Sequence, residues 1–310
     1  MPRASSDPER VLQRLDWTVI RRLDGLLQGD YRTLFRGFGF EMAELREYQL
    51  TDDVRAIDWN VTARMQSPWV RLFLEDRDIT AWFLLDLSPS VDFGAPAARK
   101  RDLLVDFTAV VARLLTRRGN RVGALVFGGG EMRVIPAKAG RTHVLRLIQE
   151  LKDHPHLARA PRTDLSAFLD AALRMVRRRS LLFIVSDFLS VPGWDRRLAM
   201  VAQRHETLAV RLLDPREGEI PDMGPLVLED SETGEQIFVD THDRRFRKRY
   251  AEITRQRGEE LRAMLTRAGV DLLGLSTEGD LAHDIVRFAA ARAQKRTARS
   301  SRALARPRAG

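Results

Sequence analysis

The strongest constraint on the fold is a nearly continuous apolar run, Ile79–Leu85, that ends directly at Asp86. A short run without alternation is typical of a strand that is buried on both faces, as in a parallel sheet covered by helices. Leu181–Ser186 repeats the pattern later in the chain. The sequence therefore predicts a parallel sheet with helices packed on its two sides.

Further elements alternate with these two strands. In chain order we expect a helix from near Pro96 to Leu115, strands Arg121–Phe127 and Glu131–Pro136, helices Thr142–Leu151 and Asp164–Val176, helix Asp195–Arg204, strand Thr207–Leu213, strand Val270–Leu275 and helix Asp280–Arg292. Thr142 is expected to cap its helix. Strands and helices that alternate in this way predict an α/β fold with a doubly wound, mostly parallel sheet.

Two parts of the chain depart from the alternation. A β-hairpin insertion is expected within about residues 214–241, followed by a long charged helix at about 243–268. Before the sheet, the spacing predicts an amphipathic helix from about Pro8 to Leu27 and strands near Glu41–Gln49 and Trp69–Asp76. We therefore divide the chain into an N-terminal helix with a β-rich region (1–78), an α/β domain (79–292) and a tail (293–310).

The charge of the chain is concentrated in that tail. The 310 residues carry a formal net charge of +9, and seven basic residues without any acidic one lie between Arg292 and Gly310. No apolar periodicity follows Ala293, so the tail is predicted to be disordered. It serves either as a solubilising extension or as a contact for nucleic acid or an anionic surface.

Absent residue types narrow the possible functions. The sequence has no cysteine, which excludes disulfides, thiolate metal sites and thiol nucleophiles. No apolar run approaches the roughly 20 residues of a membrane span, and the first residues lack the apolar core of a secretory signal. We therefore expect a cytoplasmic protein.

Candidate ligands for a metal ion lie on three loops that follow strands or precede a helix. Asp86, Ser88 and Ser90 follow the first buried strand, Thr163 precedes a helix, and Asp187 follows the second buried strand. Because ligands gather at the carboxyl ends of the strands of an open α/β sheet, we expect these side chains at one edge. A set made only of oxygen donors suits a hard cation, first Mg²⁺, with Mn²⁺ or Ca²⁺ as alternatives.

The same residues resemble the metal-ion-dependent adhesion site of von Willebrand factor A (VWA) domains, in which Asp-x-Ser-x-Ser is followed by a Thr and then an Asp. The resemblance implies a VWA-like fold in which Ser88, Ser90 and Thr163 ligate the metal directly. Asp86 and Asp187 would then act through water. In this chain the last motif reads Ser-Asp-Phe, where many members have Asp-Gly.

A narrower resemblance covers almost the whole chain before the tail. The motifs Gly39-Phe40-Glu41, Arg46-Glu47-Tyr48, Asp52–Trp59 and Ala63-Arg64, together with the metal loop Asp86–Gly94, are similar to those of the domain-of-unknown-function family 58. The family implies partnership with a MoxR-type AAA+ ATPase in systems that assemble or activate client proteins. Members frequently carry two N-terminal membrane helices, which this chain lacks.

These observations favour a non-enzymatic, metal-dependent protein-interaction module that binds an acidic residue of a client or of the ATPase. Two other functions stay open. The same loop could polarise the substrate of a metal-dependent hydrolase, although Asp187 is the sole evident general base, and the basic tail could bind nucleic acid. A VWA-like fold whose site stays empty is the remaining alternative for the loops.

Overall fold

The structure is a computed structural model, and it describes residues 8–26, 43–49, 52–54, 57–65, 67–73, 80–95, 98–128, 131–157, 159–160, 162–230 and 233–304. Its strands are β1 (Ala43–Glu47), β2 (Trp69–Phe73), β3 (Thr80–Asp86), β4 (Gly94–Ala95), β5 (Ala98–Arg99), β6 (Arg121–Gly128), β7 (Glu131–Lys138), β8 (Leu181–Ser186), β9 (Glu206–Leu213), β10 (Pro225–Glu229), β11 (Gln236–Asp240) and β12 (Asp271–Ser276). The motif Gly39-Phe40-Glu41 and residues Arg55 and Ala56 lie outside the described part.

The helices of the described part are α1 (Pro8–Leu15), α2 (Arg21–Leu26), α3 (Trp59–Met65), α4 (Lys100–Thr116), α5 (Arg141–Lys152), α6 (Leu165–Met175), α7 (Asp195–Arg204), α8 (Arg244–Arg267) and α9 (Leu281–Leu304). A π-helical turn, Asp16–Ile20, joins α1 to α2.

The central sheet has six strands in the order β12-β9-β8-β3-β6-β7. All neighbouring pairs are parallel except β6 and β7, which form an antiparallel hairpin at one edge. Successive strands are added on one side of β3 and then on the other, so the order reverses between β3 and β8. This confirms the predicted α/β class with its doubly wound, mostly parallel sheet, and it places a switch point beside Asp86.

The two faces of the sheet bury separate cores. In β3, Phe83 and Leu85 face a core that includes α1, α4, α5 and α9, whereas Leu84 faces a core built with α6, α7 and α8. Phe83 stacks on Phe183 of β8, with ring centroids 5.0 Å apart. A strand that packs against a core on each face needs an apolar residue at every position, which explains the unbroken apolar run before Asp86.

Several details differ from the sequence expectations. The helix expected from near Pro96 begins at Lys100, after the short strand β5. The first helix shares the core of the α/β domain through Leu12, Leu15 and Ile20. The tail that was expected to be disordered from residue 293 is helical up to Leu304, because α9 continues without a break, and residues 305–310 lie outside the described part. Finally, Thr142 is the second residue of α5, whose N-cap is Gly140.

The expected insertion is a separate two-stranded sheet, in which β10 and β11 pair antiparallel. The long helix α8 follows it and buries only Leu261 and Leu265 fully. Both elements follow β9, at the same edge of the sheet as the loops after β3 and β8. Asp230, which follows β10, and Leu261 of α8 accordingly lie near Ser90 and Asp187, around one cavity.

Candidate metal centre

The five sequence-predicted residues are all buried where their loops meet the sheet. Asp86, Ser88, Ser90, Thr163 and Asp187 are each at most 3% exposed. Strands β3 and β8 are parallel neighbours, with Leu85 opposite Val185, so Asp86 and Asp187 follow the same edge. The structure thus brings the loops after β3 and β8 together, as the topology of a parallel sheet requires.

Asp86 is a fully buried carboxylate that accepts hydrogen bonds only from neutral groups. Its Oδ1 accepts from the Ser88 N–H at 3.0 Å, and its Oδ2 accepts from the Ser186 hydroxyl at 2.7 Å. No described Lys, Arg or His lies within ion-pair distance of it. Burial, followed by the negative charge of Asp187, raises the pKa of Asp86 to about 6.

The hydroxyls of Ser88 and Ser90 lie side by side, with their Oγ atoms 3.1 Å apart. A turn of 3-10 helix, Pro89–Asp92, sets this spacing, and the Leu87 N–H holds the loop to β6 by donating to the Phe127 carbonyl at 2.7 Å. Two adjacent ligands of six-coordinate Mg²⁺, each at about 2.1 Å, are separated by about 3.0 Å. The pair therefore fits two neighbouring positions around such an ion.

Thr163 lies on a segment tied to the loop after β8. Its carbonyl accepts hydrogen bonds from the Ser190 hydroxyl at 2.9 Å and from the Val191 N–H at 3.0 Å. The next residue, Asp164, caps α6 by accepting from the Ser166 N–H at 2.8 Å. The third predicted loop is therefore fixed against the second, with the Thr163 side chain buried.

Asp187 lies in a tightly constrained turn. Its Oδ1 accepts from the Leu189 N–H at 3.0 Å, and the Ser186 hydroxyl accepts from the Phe188 N–H at 2.8 Å. Phe188 has φ of 62°, the left-handed region that side-chain-bearing residues rarely adopt. Phe188, the last residue of the Ser-Asp-Phe motif, therefore holds its backbone conformation at a cost in strain.

Sequence reasoning missed Lys100, the first residue of α4. This lysine is fully buried, and its Nζ donates to Asp187 Oδ2 at 2.7 Å and to Glu217 Oε1 at 2.6 Å. Burial opposes its charge, but the two carboxylates outweigh burial and hold the pKa of Lys100 above its ordinary value. Burial also raises the pKa of Glu217, against the opposite effect of Lys100.

Nothing in the sequence marks Lys100 as buried, because it lies between Arg99 and Arg101 at a helix start and resembles a solvated position. Its partner Glu217 is 117 residues away. Among the described residues, no three His, Cys, Asp or Glu side chains are grouped as a metal site. A metal here would depend on the serine and threonine hydroxyls.

Most of the chain matches the model of one protein family. The model of the "Protein of unknown function DUF58" family matches residues 44–260. The chain belongs to the DUF58 family. This agrees with the resemblance found in the motifs that precede and include the metal loop.

A relative in Mycobacterium tuberculosis (strain ATCC 25618 / H37Rv), the uncharacterized protein Rv1480, is similar over most of both chains. It is 40% identical over 282 residues, which cover 91% of this DUF58 chain and 89% of the relative. The similarity thus includes the regions on both sides of the matched family segment.

Among solved structures, the conserved hypothetical protein BatB from Bacteroides thetaiotaomicron superimposes with a TM-score of 0.43 at 13% identity, over 70% of the DUF58 chain and 99% of BatB. The SpRpn10 VWA domain gives a TM-score of 0.37 at 11% identity, over 67% and 93% of the two chains. The strand order of the sheet, and not these partial superpositions, defines the fold. Among its described residues, the DUF58 chain has no helix that combines the length and apolar character of a membrane span.

Proposed function

We propose that this DUF58 protein is a non-enzymatic protein-interaction module that uses a divalent cation to bind an acidic residue of another protein. Mg²⁺ is the first choice of ion, with Mn²⁺ or Ca²⁺ as alternatives. Ser88, Ser90 and Thr163 would hold it directly, and Asp86 and Asp187 would act through water. The observation that carries the proposal is the pair of serine hydroxyls 3.1 Å apart beside two buried carboxylates.

The charge around the loops supports a divalent ion. The cluster contains three carboxylates, those of Asp86, Asp187 and Glu217, and one ammonium, that of Lys100. Two negative charges therefore remain among these four groups when all are ionised, and the Arg211 guanidinium, which interacts electrostatically with Asp187 and Glu217, offsets part of them. A divalent cation would neutralise them, and ligation by neutral hydroxyls would leave the ion enough positive charge to attract a further carboxylate.

A MoxR-type AAA+ ATPase, or a client protein that it assembles or activates, is the partner we propose. Support comes from membership of the DUF58 family and from the chemistry of the site, which requires an exposed aspartate or glutamate on the partner. The protein would work as an adaptor that is chaperone-like in effect.

The structure gives little support to the two other functions. The hydrolase needs a general base, and the sole candidate, Asp187, is already engaged, since its Oδ2 accepts a 2.7 Å hydrogen bond from the Lys100 ammonium. The nucleic-acid function rests on the charge of the basic tail alone, and residues 293–304 of that tail continue α9. No contact in the described part favours either function.

Metal binding is tested with Mn²⁺ on the purified full chain by electron paramagnetic resonance. We expect Ser88→Ala to lower the Mn²⁺ affinity at least about tenfold, because it removes one direct ligand. Ser180→Ala is the matched control, since Ser180 is also a buried serine but precedes β8, at the opposite end of the strand. Equal Mn²⁺ affinity in the two variants would overturn the proposed centre.

Partner binding is tested by capture of the AAA+ ATPase on the wild-type chain and on Asp86→Ala, each in Mg²⁺ and in EDTA. We expect capture only by the wild type in Mg²⁺. Equal capture in all four conditions would reject metal-dependent recognition, even if the ATPase proves to be a partner.

A further inference from the structure

A cavity of about 590 Å³ opens directly beside the candidate metal centre. Ser90 and Asp187 of that centre form part of its lining, and α8 contributes Leu261 and Met264. Its volume is within the range of about 300–1,000 Å³ that is usual for binding pockets. The family match and the proposed metal site do not account for this space.

Arg211 is the feature of the cavity that points to a ligand. It lies in β9, paired with Ser186 of β8, and it is one of the residues that line the cavity. Its Nε is buried without a hydrogen-bond partner. In the part of the chain that the structure describes, no carboxylate lies within ion-pair distance of this guanidinium.

The two acidic groups that act electrostatically on Arg211 are already engaged. Asp187 and Glu217 both accept hydrogen bonds from Lys100, at 2.7 and 2.6 Å. Burial lowers the pKa of Arg211, and the two carboxylates offset this only in part. Arg211 is therefore a partly buried cation beside the cavity that has no counter-ion of its own, which is unfavourable unless an anion enters.

The rest of the lining fits part of a peptide. Trp194, Leu261 and Met264 give the cavity an apolar surface. Asp187 also belongs to the lining, but its carboxylate is bonded to Lys100. The remaining charged residues of the lining, Arg162, Arg257, Asp230 and Glu260, are exposed and balance one another in sign. Arg211 is thus the charge in the lining that is both partly buried and unpaired.

We propose that the cavity binds a second carboxylate of the acidic segment that reaches the metal, with Arg211 as its partner and an apolar side chain between the two acidic ones. This rests on the proposed function, because the first carboxylate is the one at the cation. The ligand is therefore a protein segment with two acidic residues close in sequence.

The test compares two peptides, acetyl-Glu-Leu-Glu-amide and acetyl-Glu-Leu-Gln-amide, by NMR titration of the full chain in Mg²⁺ and in EDTA. We expect the peptide with two carboxylates to bind about tenfold more tightly, since a charge-assisted pair with a guanidinium is worth about one decade. Arg211→Gln should remove this preference. Arg179→Gln should keep it, because Arg179 precedes β8 and lies at the opposite edge of the sheet.

The outcomes separate this inference from the proposed function. If Mg²⁺ strengthens the binding of both peptides but Arg211→Gln keeps the preference, the cavity site is wrong and the metal site stands. If Mg²⁺ has no effect on either peptide, the metal site fails. In that case the cavity site is tested by the preference for the peptide with two carboxylates in EDTA. The site is supported if Arg211→Gln abolishes this preference and is rejected if it does not. Arg211→Gln should fold, since the buried Nε of Arg211 makes no hydrogen bond that the change would break.

Discussion

The loops after β3 and β8 each place one buried aspartate at the same edge of the sheet, but they treat its charge differently. Asp86, after β3, accepts hydrogen bonds from a backbone N–H and a hydroxyl. Asp187, after β8, is bonded to the ammonium of Lys100. The difference shows that one side of the centre has a built-in cation and the other does not.

This asymmetry has an energetic meaning. A carboxylate buried without a cation is a cost to folding, and proteins retain such costs mainly at functional sites. The pKa of Asp86, raised to about 6 by burial and then by Asp187, records that cost. The unfavourable negative charge of Asp86 therefore lies beside the two serine hydroxyls, where a bound metal ion would neutralise it.

The largest expected effect comes from removing the built-in cation. Lys100→Met leaves Asp187 and Glu217 without their partner, and breaking a buried ion pair from one side costs about 3–5 kcal/mol. We expect the free energy of unfolding, measured by urea denaturation in EDTA, to fall by about 3 kcal/mol, at the lower end because Glu217 is 26% exposed.

The control for this variant is Lys138→Met, which changes an exposed lysine at the edge of the sheet. It should alter the stability by less than about 0.5 kcal/mol. Mg²⁺ should also recover part of the loss in Lys100→Met, because the centre has then gained a negative charge. If Lys100→Met is as stable as Lys138→Met, the buried cation does not stabilise Asp187, and the loops after β3 and β8 do not differ in this respect.

The next effect has the opposite sign. The pKa of Asp86 is about 6 in the folded chain and 3.8 ordinarily, so the folded chain favours the protonated carboxyl. The stability that protonated Asp86 gives is therefore fully present below about pH 4 and is lost as the pH rises through about 6. Asp86→Asn cannot ionise, so in EDTA it should become more stable than wild type at about pH 7.5, by up to about 3 kcal/mol.

Denaturation curves at about pH 5 and about pH 7.5 measure this difference, which should grow with pH. Mg²⁺ in excess should reverse the order at the higher pH, because only the wild type gains from the ion. If Asp86→Asn is less stable than wild type in EDTA at both pH values, Asp86 is a structural carboxylate and the comparison between the loops is wrong.

How much of this the sequence reveals depends on the range of the interactions. The apolar runs before Asp86 and Ser186 are local signals, and parallel pairing then brings their ends to one edge. The candidate ligands could therefore be placed in advance. The Ser88–Ser90 spacing also follows from one short turn, which belongs to a recognisable motif.

Lys100, the cation that is bonded to Asp187 of the loop after β8, could not be predicted from the sequence in the same way. Lys100 becomes buried only because β8 and the residues after β9 deliver Asp187 and Glu217 to it, and its own neighbours are the basic residues of an ordinary helix start. Arg211 is similar, since its strand reads as apolar around it. Buried charges depend on distant partners, and a single sequence carries no local pattern for them.

The smallest effect concerns the third loop, which holds Thr163. Asp164→Ala removes the N-cap of α6 and should lower the free energy of unfolding by about 1 kcal/mol. Asp243→Ala is matched to it, because Asp243 caps α8 by the same bond to the Arg245 N–H, at 2.7 Å, outside the centre. Both variants should lose similar stability by urea denaturation, but only Asp164→Ala should weaken Mn²⁺ binding, since the cap orients Thr163. Equal Mn²⁺ affinity in the two would show that the centre depends on the first two loops alone.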